Sequence, residues 1–116
     1  MKSMEEFKKI LLETIDESMV QVFGSTSTEV IYDYIEGNHD LRKEDIAENL
    51  EIFSSSLEKM FGFGATLLEK LVLKKLYMKL GLKYEEKEGY KFLDYIKELK
   101  SQILLDYMQK IKGKIS

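Results

Sequence analysis

The stretch from Phe61 to Leu80 constrains the fold most, because as a helix it is apolar around most of its circumference. A helix of this kind either packs at the centre of a bundle or packs in part against a second copy of the chain. We therefore predict an all-α bundle of five or six helices around a central hydrophobic helix at about residues 65–80. At about 100° per residue, the following apolar side chains leave only narrow strips for its lysines: Ala65, Leu67, Leu68, Leu71, Val72, Leu73, Leu76, Tyr77, Met78 and Leu80.

Length and composition favour a single domain with a core of its own. The chain has 116 residues, 44% of them apolar, with no proline to break helices and no cysteine for disulfides or thiolate metal sites. We divide it into a core at 1–86 and a long C-terminal helix at 87–116. The N-terminus turns acidic at Glu5 without an apolar segment, and no apolar run approaches the roughly 20 residues of a membrane span. We expect a cytoplasmic protein with no membrane contact.

Apolar periodicity and helix-end signals place the other helices. Thr26 and Glu29 have the spacing of a capping box, and Gly37 with Asn38 is expected to end the helix that follows. The glycines of Phe61-Gly62-Phe63-Gly64 predict a corner before the central helix rather than a nucleotide-binding loop. The predicted segments are Met4–Phe23, Ser27–Glu36, a short turn at Leu41–Ala47, Leu50–Phe61 with Asn49 as its N-cap, and Glu88–Lys112.

No motif predicts catalysis, a metal site or a cofactor. His39 is the single histidine, and the acidic residues around it lack a ligand spacing. The segment Gly24–Thr28 lacks the glycine spacing and the lysine of a phosphate-binding loop. The serines Ser54–Ser56 have no second histidine to act as a base, so we interpret them as a small-residue face for a close helix crossing. We expect no enzyme activity and no bound metal or cofactor.

The last predicted helix is longer than a domain of this size needs. About 25 residues at 1.5 Å per residue measure roughly 37 Å. Its C-terminal half is therefore expected to project and to be covered by a second copy in a homodimer. The alternative is a helix folded back along its own domain. The predicted interface residues are Ile96, Leu99, Ile103, Leu104, Tyr107, Met108 and Ile111.

Charge is distributed unevenly along the chain. Residues 1–58 hold 5 basic and 14 acidic residues, a balance of −9, and residues 59–116 hold 13 basic and 7 acidic, a balance of +6. The simpler interpretation is that the two halves pack together and partly neutralise each other. The alternative is a nucleic-acid-binding regulatory protein, although Arg42 is the only arginine and lies in the acidic half. That alternative would use Lys70, Lys74, Lys75, Lys79 and Lys83.

One set of mainly apolar residues and glycines forms a familiar pattern: Glu29–Tyr32, Phe53, Leu57, Phe61, Gly62, Gly64, Ala65, Leu67–Lys70, Leu76, Tyr77 and Lys79–Leu82. Through these residues the chain is similar, over about residues 18–85, to a group of small archaeal all-helical proteins of unknown function, which are related to output domains of archaeal signalling proteins. The resemblance implies a helical regulatory or protein-interaction module in an archaeal cytoplasm, with a protein partner in signalling, and it carries over no catalytic residues. We therefore predict a non-enzymatic module that acts through helix–helix contacts.

Overall fold

The structure, a computed structural model, describes residues 3–115 as a bundle of six helices with no strand in that range. This confirms the predicted all-α bundle and its long C-terminal helix. The helices are α1 (Met4–Phe23), α2 (Ser25–His39), a 3₁₀ helix (Lys43–Glu48), α3 (Leu50–Phe61), α4 (Phe63–Lys79) and α5 (Phe92–Ile115).

Helix α1 begins and ends as predicted. The Ser3 hydroxyl accepts a hydrogen bond from the Glu6 backbone N–H at 3.1 Å, which satisfies one of the free N–H groups of the first turn. Gly24 follows with φ +82° and donates its N–H to the Val20 carbonyl at 2.8 Å. The core-facing side chains recur at every fourth position and are fully buried: Phe7, Leu11, Ile15 and Met19.

Both predicted ends of α2 were wrong. The helix begins at Ser25, directly after Gly24, and no side chain caps it. Thr26 and Glu29 lie inside the helix, so they form no capping box. The positive φ of Gly24 turns the chain sharply enough that no separate capping segment is needed, and the Gly24 carbonyl accepts the Thr28 N–H at 3.1 Å.

The C-terminal end of α2 lies at His39 rather than at Glu36. Gly37 and Asn38 remain helical, and the left-handed residue that ends the helix is Asp40, at φ 52°. The Asn38 side-chain amide donates to the Tyr34 carbonyl at 2.8 Å, which satisfies a backbone acceptor of the last turn. Asn and Asp adopt this left-handed conformation more readily than other non-glycine residues, which explains why a nearby glycine was not required.

The corner between α3 and α4 is confirmed. Gly62 has φ +55° and ψ −126°, and its N–H donates to the Glu58 carbonyl at 2.8 Å to close α3. The ring of Phe61 stacks on that of Phe23 at 4.9 Å between centroids, which ties the corner to the end of α1. Helix α4 begins at Phe63, two residues earlier than predicted.

Helix α4 packs against α1, α3 and α5, while α2 packs on α1 and α3. Helix α4 therefore has the central position that the sequence predicts, and its three neighbours leave one strip of its surface uncovered. Phe63, Leu67 and Met78 are 76%, 57% and 72% exposed. Its buried residues are Ala65, Leu68, Glu69, Val72, Leu73, Leu76 and Tyr77.

Helix α5 begins at Phe92, after a connector at 80–91, and not at Glu88. The Asp94 carboxylate accepts the Lys91 N–H at 2.8 Å and so supports its first turn. The last residue of α5 that packs into the core is Ile103. Residues 104–114 are exposed except for the half-buried Asp106, so this end of α5 projects from the bundle. No helix within the described range 3–115 has the length and apolarity to cross a membrane.

Candidate functional site

The projecting end of α5, residues 104–114, forms an arm with one apolar face, and we call it the C-terminal arm. Leu104, Tyr107, Met108 and Ile111 are 53%, 60%, 57% and 39% exposed. Their spacing of i, i+3, i+4 and i+7 places all four side chains on one side of the helix. The arm therefore presents the pattern with which an amphipathic helix binds another helix or a groove.

The structure divides the seven predicted interface residues into two groups. Ile96, Leu99 and Ile103 are buried in the core of their own chain, so they stabilise the bundle and are not accessible to a partner. The other four are the exposed residues of the C-terminal arm. The helical spacing alone placed all seven residues in one interface, because the apolar stripe of α5 continues without a break past the edge of the domain. The interface itself stays a prediction.

Helix α4 carries a second exposed apolar face, formed by Phe63, Leu67, Leu71 and Met78, with Leu71 half-buried. At about 100° per residue these four side chains fall within one narrow arc of the helix. Lys74 lies on the same arc and interrupts the face with a charge. This face corresponds to the strip of α4 that its three neighbouring helices leave uncovered.

The five lysines of the nucleic-acid alternative are largely engaged with acceptors of their own chain. Lys75 hydrogen-bonds the side chain of Gln21 on α1, and Lys74 has no ion pair within residues 3–114. These contacts reduce the charge that a phosphate backbone would meet, and the alternative stays a prediction without structural support. The other three form ion pairs, namely Lys70 with Glu86 at 3.2 Å, Lys79 with Glu17 at 2.9 Å and Lys83 with Glu85 at 3.3 Å.

A cleft of about 460 Å³ lies between α3, α4, the connector and the start of α5. Its volume falls in the range of about 300–1,000 Å³ that is usual for small-molecule sites. The α3 wall includes Glu51, Ser54 and Glu58, and the α4 wall includes Glu69. The connector and α5 contribute rings and lysines: Tyr84, Lys87, Tyr90, Lys91, Phe92 and Tyr95.

Glu69 is the one buried acidic side chain among the described residues, and it is only 9% exposed. The Ser54 hydroxyl donates a hydrogen bond of 2.7 Å to its Oε2 atom. Burial raises the pKa of the Glu69 carboxyl; the Ser54 hydrogen bond lowers it, and the nearby charge of Glu58 raises it further. Within residues 3–114 no lysine or arginine forms an ion pair with Glu69.

Edge-to-face and tilted contacts between tyrosine rings shape the connector side of the cleft. The ring of Tyr95 lies 5.5 Å from that of Tyr84 and 5.0 Å from that of Tyr90, and Tyr84 also contacts Tyr77 at 5.4 Å. The Tyr95 hydroxyl accepts the Lys87 backbone N–H at 2.7 Å. Burial, together with a hydrogen bond to Tyr95, raises the pKa of Tyr84 to about 12. These contacts hold an otherwise irregular segment against α4 and α5.

Ser55, Ser56 and His39 lie apart from the hydrogen bond between Ser54 and Glu69. The Ser56 hydroxyl donates to the Ile52 carbonyl at 2.8 Å, and Ser55 is exposed. His39 is the last residue of α2. In the part of the chain that the structure describes, no group of three or more His, Asp and Glu side chains is arranged to hold a metal ion.

Sequence reasoning missed the Glu69 cleft, although a signal was present. Glu69 lies four residues after Ala65 and three before Val72, so it occupies a core position of α4. Ser54 lies likewise between Leu50 and Leu57 on the buried face of α3. A polar side chain at a position that the helical period assigns to the core indicates a buried polar contact, and two such positions on adjacent helices predict a pair.

Comparisons with protein-family models, with curated proteins and with solved structures found no match to this chain.

Proposed function

We propose that this protein is a non-enzymatic regulatory or protein-interaction module of the cytoplasm, which acts through helix–helix contacts and forms a homodimer through its C-terminal arm. One observation carries the proposal: the arm extends an apolar i, i+3, i+4, i+7 face beyond Ile103, the last residue of α5 that packs into the core. A signalling role is the form of regulation that the resemblance to archaeal output domains implies.

Burial of this face would stabilise an assembly substantially. Full burial of a large apolar side chain contributes about 1.5–3 kcal/mol, and the apolar face of the arm offers four that are at least 39% exposed. Ordering and association oppose this gain, so an interface of this size gives a dimer that dissociates on dilution. A soluble chain that leaves such a face uncovered would tend to aggregate.

The pattern of the arm favours a second copy as the partner. Its positions are symmetric about the point between Tyr107 and Met108, so an antiparallel pair would place Leu104 against Ile111 of the partner arm, and Tyr107 against its Met108. A two-fold axis requires this self-complementarity, because the same patch must serve on both subunits.

Multi-angle light scattering tests the dimer. We expect a dimer mass for the wild type at high concentration, and a monomer for Leu104→Glu/Met108→Glu, which adds two charges to the arm face. The matched control is Gln102→Glu/Gln109→Glu, which adds the same charges on the opposite side of α5 and should remain dimeric. Circular dichroism should show the same helix content in all three proteins. A wild type that stays monomeric throughout the concentration range would contradict the proposal.

A further inference from the structure

We propose that the cleft between α3, α4 and the connector binds a small organic cation, an alkyl amine of the linear polyamine class, through the carboxylates of Glu51, Glu58 and Glu69. This goes beyond the proposed interaction function and rests on separate residues from the C-terminal arm.

The charges that line the cleft favour a cation. Two of its lysines are neutralised by their own chain, because Lys70 pairs with Glu86 and Lys87 pairs with Glu98 at 2.6 Å. Among the described residues, no ion pair neutralises the three glutamates of the α3 and α4 walls, and they face only one further lysine in the lining, Lys91. The free charge of the lining is therefore negative.

Glu69 provides the strongest reason for a positively charged ligand. A buried carboxylate is costly unless it is paired and hydrogen-bonded. Ser54 donates to Oε2, and Oε1 remains accessible, since it is not among the buried side-chain atoms that lack a hydrogen-bond partner. An ammonium group carries three N–H donors and a positive charge, so it would donate to Oε1 from the cleft and supply a counter-charge.

The arrangement along α3 favours an extended polyamine over a single small ion. Glu51 and Glu58 are seven residues apart, about 10.5 Å along the helix axis, which is too far for one ion to contact both. Ser54 lies between them on the same face and holds the carboxylate of Glu69 there. The three carboxylates thus form a row, and a linear polyamine places successive ammonium groups along such a row.

The remaining lining suits the alkyl segments of the same ligand. Tyr84, Tyr90 and Phe92 bring aromatic rings to the cleft, and Leu93 adds an aliphatic side chain. Aromatic faces attract ammonium groups and also cover methylene groups. Because the protein has no tryptophan, a bound ligand that touches Tyr84 or Tyr90 should change the tyrosine emission.

Isothermal titration calorimetry with spermidine tests the inference, with n-butanol as an uncharged probe. We expect saturable one-site binding of spermidine and none of n-butanol. Glu69→Gln preserves the side-chain size and an acceptor for Ser54, and it should weaken binding at least about tenfold, because an interaction between charged partners is lost. The matched control is Glu88→Gln, an exposed glutamate that does not line the cleft, which should bind spermidine as the wild type does.

Several outcomes would overturn the inference. Absence of saturable spermidine binding would do so, and so would equal weakening by Glu69→Gln and Glu88→Gln, which would indicate general attraction to an acidic protein. If Glu69→Gln does not fold, the exposed Glu58→Gln replaces it, with the same expected direction. Leu104→Glu/Met108→Glu should keep full affinity, so failure of the dimer proposal and failure of the amine site remain distinguishable.

Discussion

At the scale of single residues, Glu69 is a carboxyl side chain whose burial is expected to lower the stability of the fold. Most of the core is apolar, and the buried serines and threonines of α1 bond to their own helix: Thr14 donates to the Ile10 carbonyl at 2.6 Å, and Ser18 to that of Thr14 at 2.7 Å. Glu69 instead depends on a hydroxyl from another helix and on access to the cleft. Stability is often sacrificed in this way where a site must bind a ligand.

The pH dependence of stability follows from this burial. The folded-state pKa of Glu69 is raised above its unfolded value, so the group contributes fully below the unfolded pKa and loses that contribution as the pH rises through the folded pKa. As the pH rises through the folded pKa, the wild type therefore acquires the penalty of a buried charge. We expect Glu69→Gln to be more stable than the wild type by about 1 kcal/mol at pH 9 and equal to it below pH 4, in urea titrations monitored by circular dichroism. Equal stability at both pH values would contradict the burial of an ionised carboxyl.

At the scale of elements, the sequence predicted helices best where both ends carried a signal of their own. The bounds of α1 and α3 were right because periodicity agreed with the end signals at Gly24, Asn49 and Gly62, although the Asn49 side chain forms no capping hydrogen bond. The ends of α2 were wrong because one glycine both ended α1 and started α2, and because Asp40 took the left-handed position. Periodicity identifies apolar residues but does not count the neighbours that cover them. For that reason the exposed face of α4 and the Glu69 cleft required the tertiary structure.

The corner between α3 and α4 provides a test of whether the positive φ of Gly62 requires a glycine. Gly62 has φ +55° with ψ −126°, a conformation that L-residues with a side chain rarely adopt, whereas Gly64 is helical. A Cβ atom at Gly62 would meet no atom within 4 Å, so Gly62→Ala should act through backbone strain alone and destabilise by about 1–3 kcal/mol. Chemical denaturation of the purified variant measures this change.

Gly64→Ala is the matched control. Its Cβ would lie 3.5 Å from the Cβ of Phe61, an ordinary contact, and alanine favours a helix over glycine by about 0.5–1 kcal/mol. The two substitutions should therefore shift stability in opposite directions. A loss of stability in Gly64→Ala would show that the corner needs both glycines for close packing, as the sequence alone left open.

At the scale of the whole molecule, the two charge halves meet inside one chain. Helix α4 from the basic half packs on α1 from the acidic half, and Lys79 pairs with Glu17 across that contact at 2.9 Å. Exposed pairs of this kind contribute little individually, typically about 0.2–1 kcal/mol, so the apolar core holds the halves together. The molecule is nevertheless elongated, with extents of 52 × 30 × 22 Å and a radius of gyration of 15.4 Å, against about 13 Å for a compact domain of this length.

The projecting arm that elongates the molecule leads to the last prediction, which distinguishes a contribution of the arm to monomer stability from a contribution to dimerisation. The core-packed part of α5 ends at Ile103, so a chain that ends after Asp106 keeps these contacts and loses Tyr107, Met108 and Ile111 of the arm. At low concentration we expect this truncated protein to unfold within about 0.5 kcal/mol of the wild type, as is usual for changes at exposed positions. As concentration rises, the Tm of the wild type should increase, because a dimer stabilises the folded state by mass action, while that of the truncated chain stays constant. A truncated chain that is much less stable even when dilute would mean that the arm belongs to the core of its own domain and not to an interface.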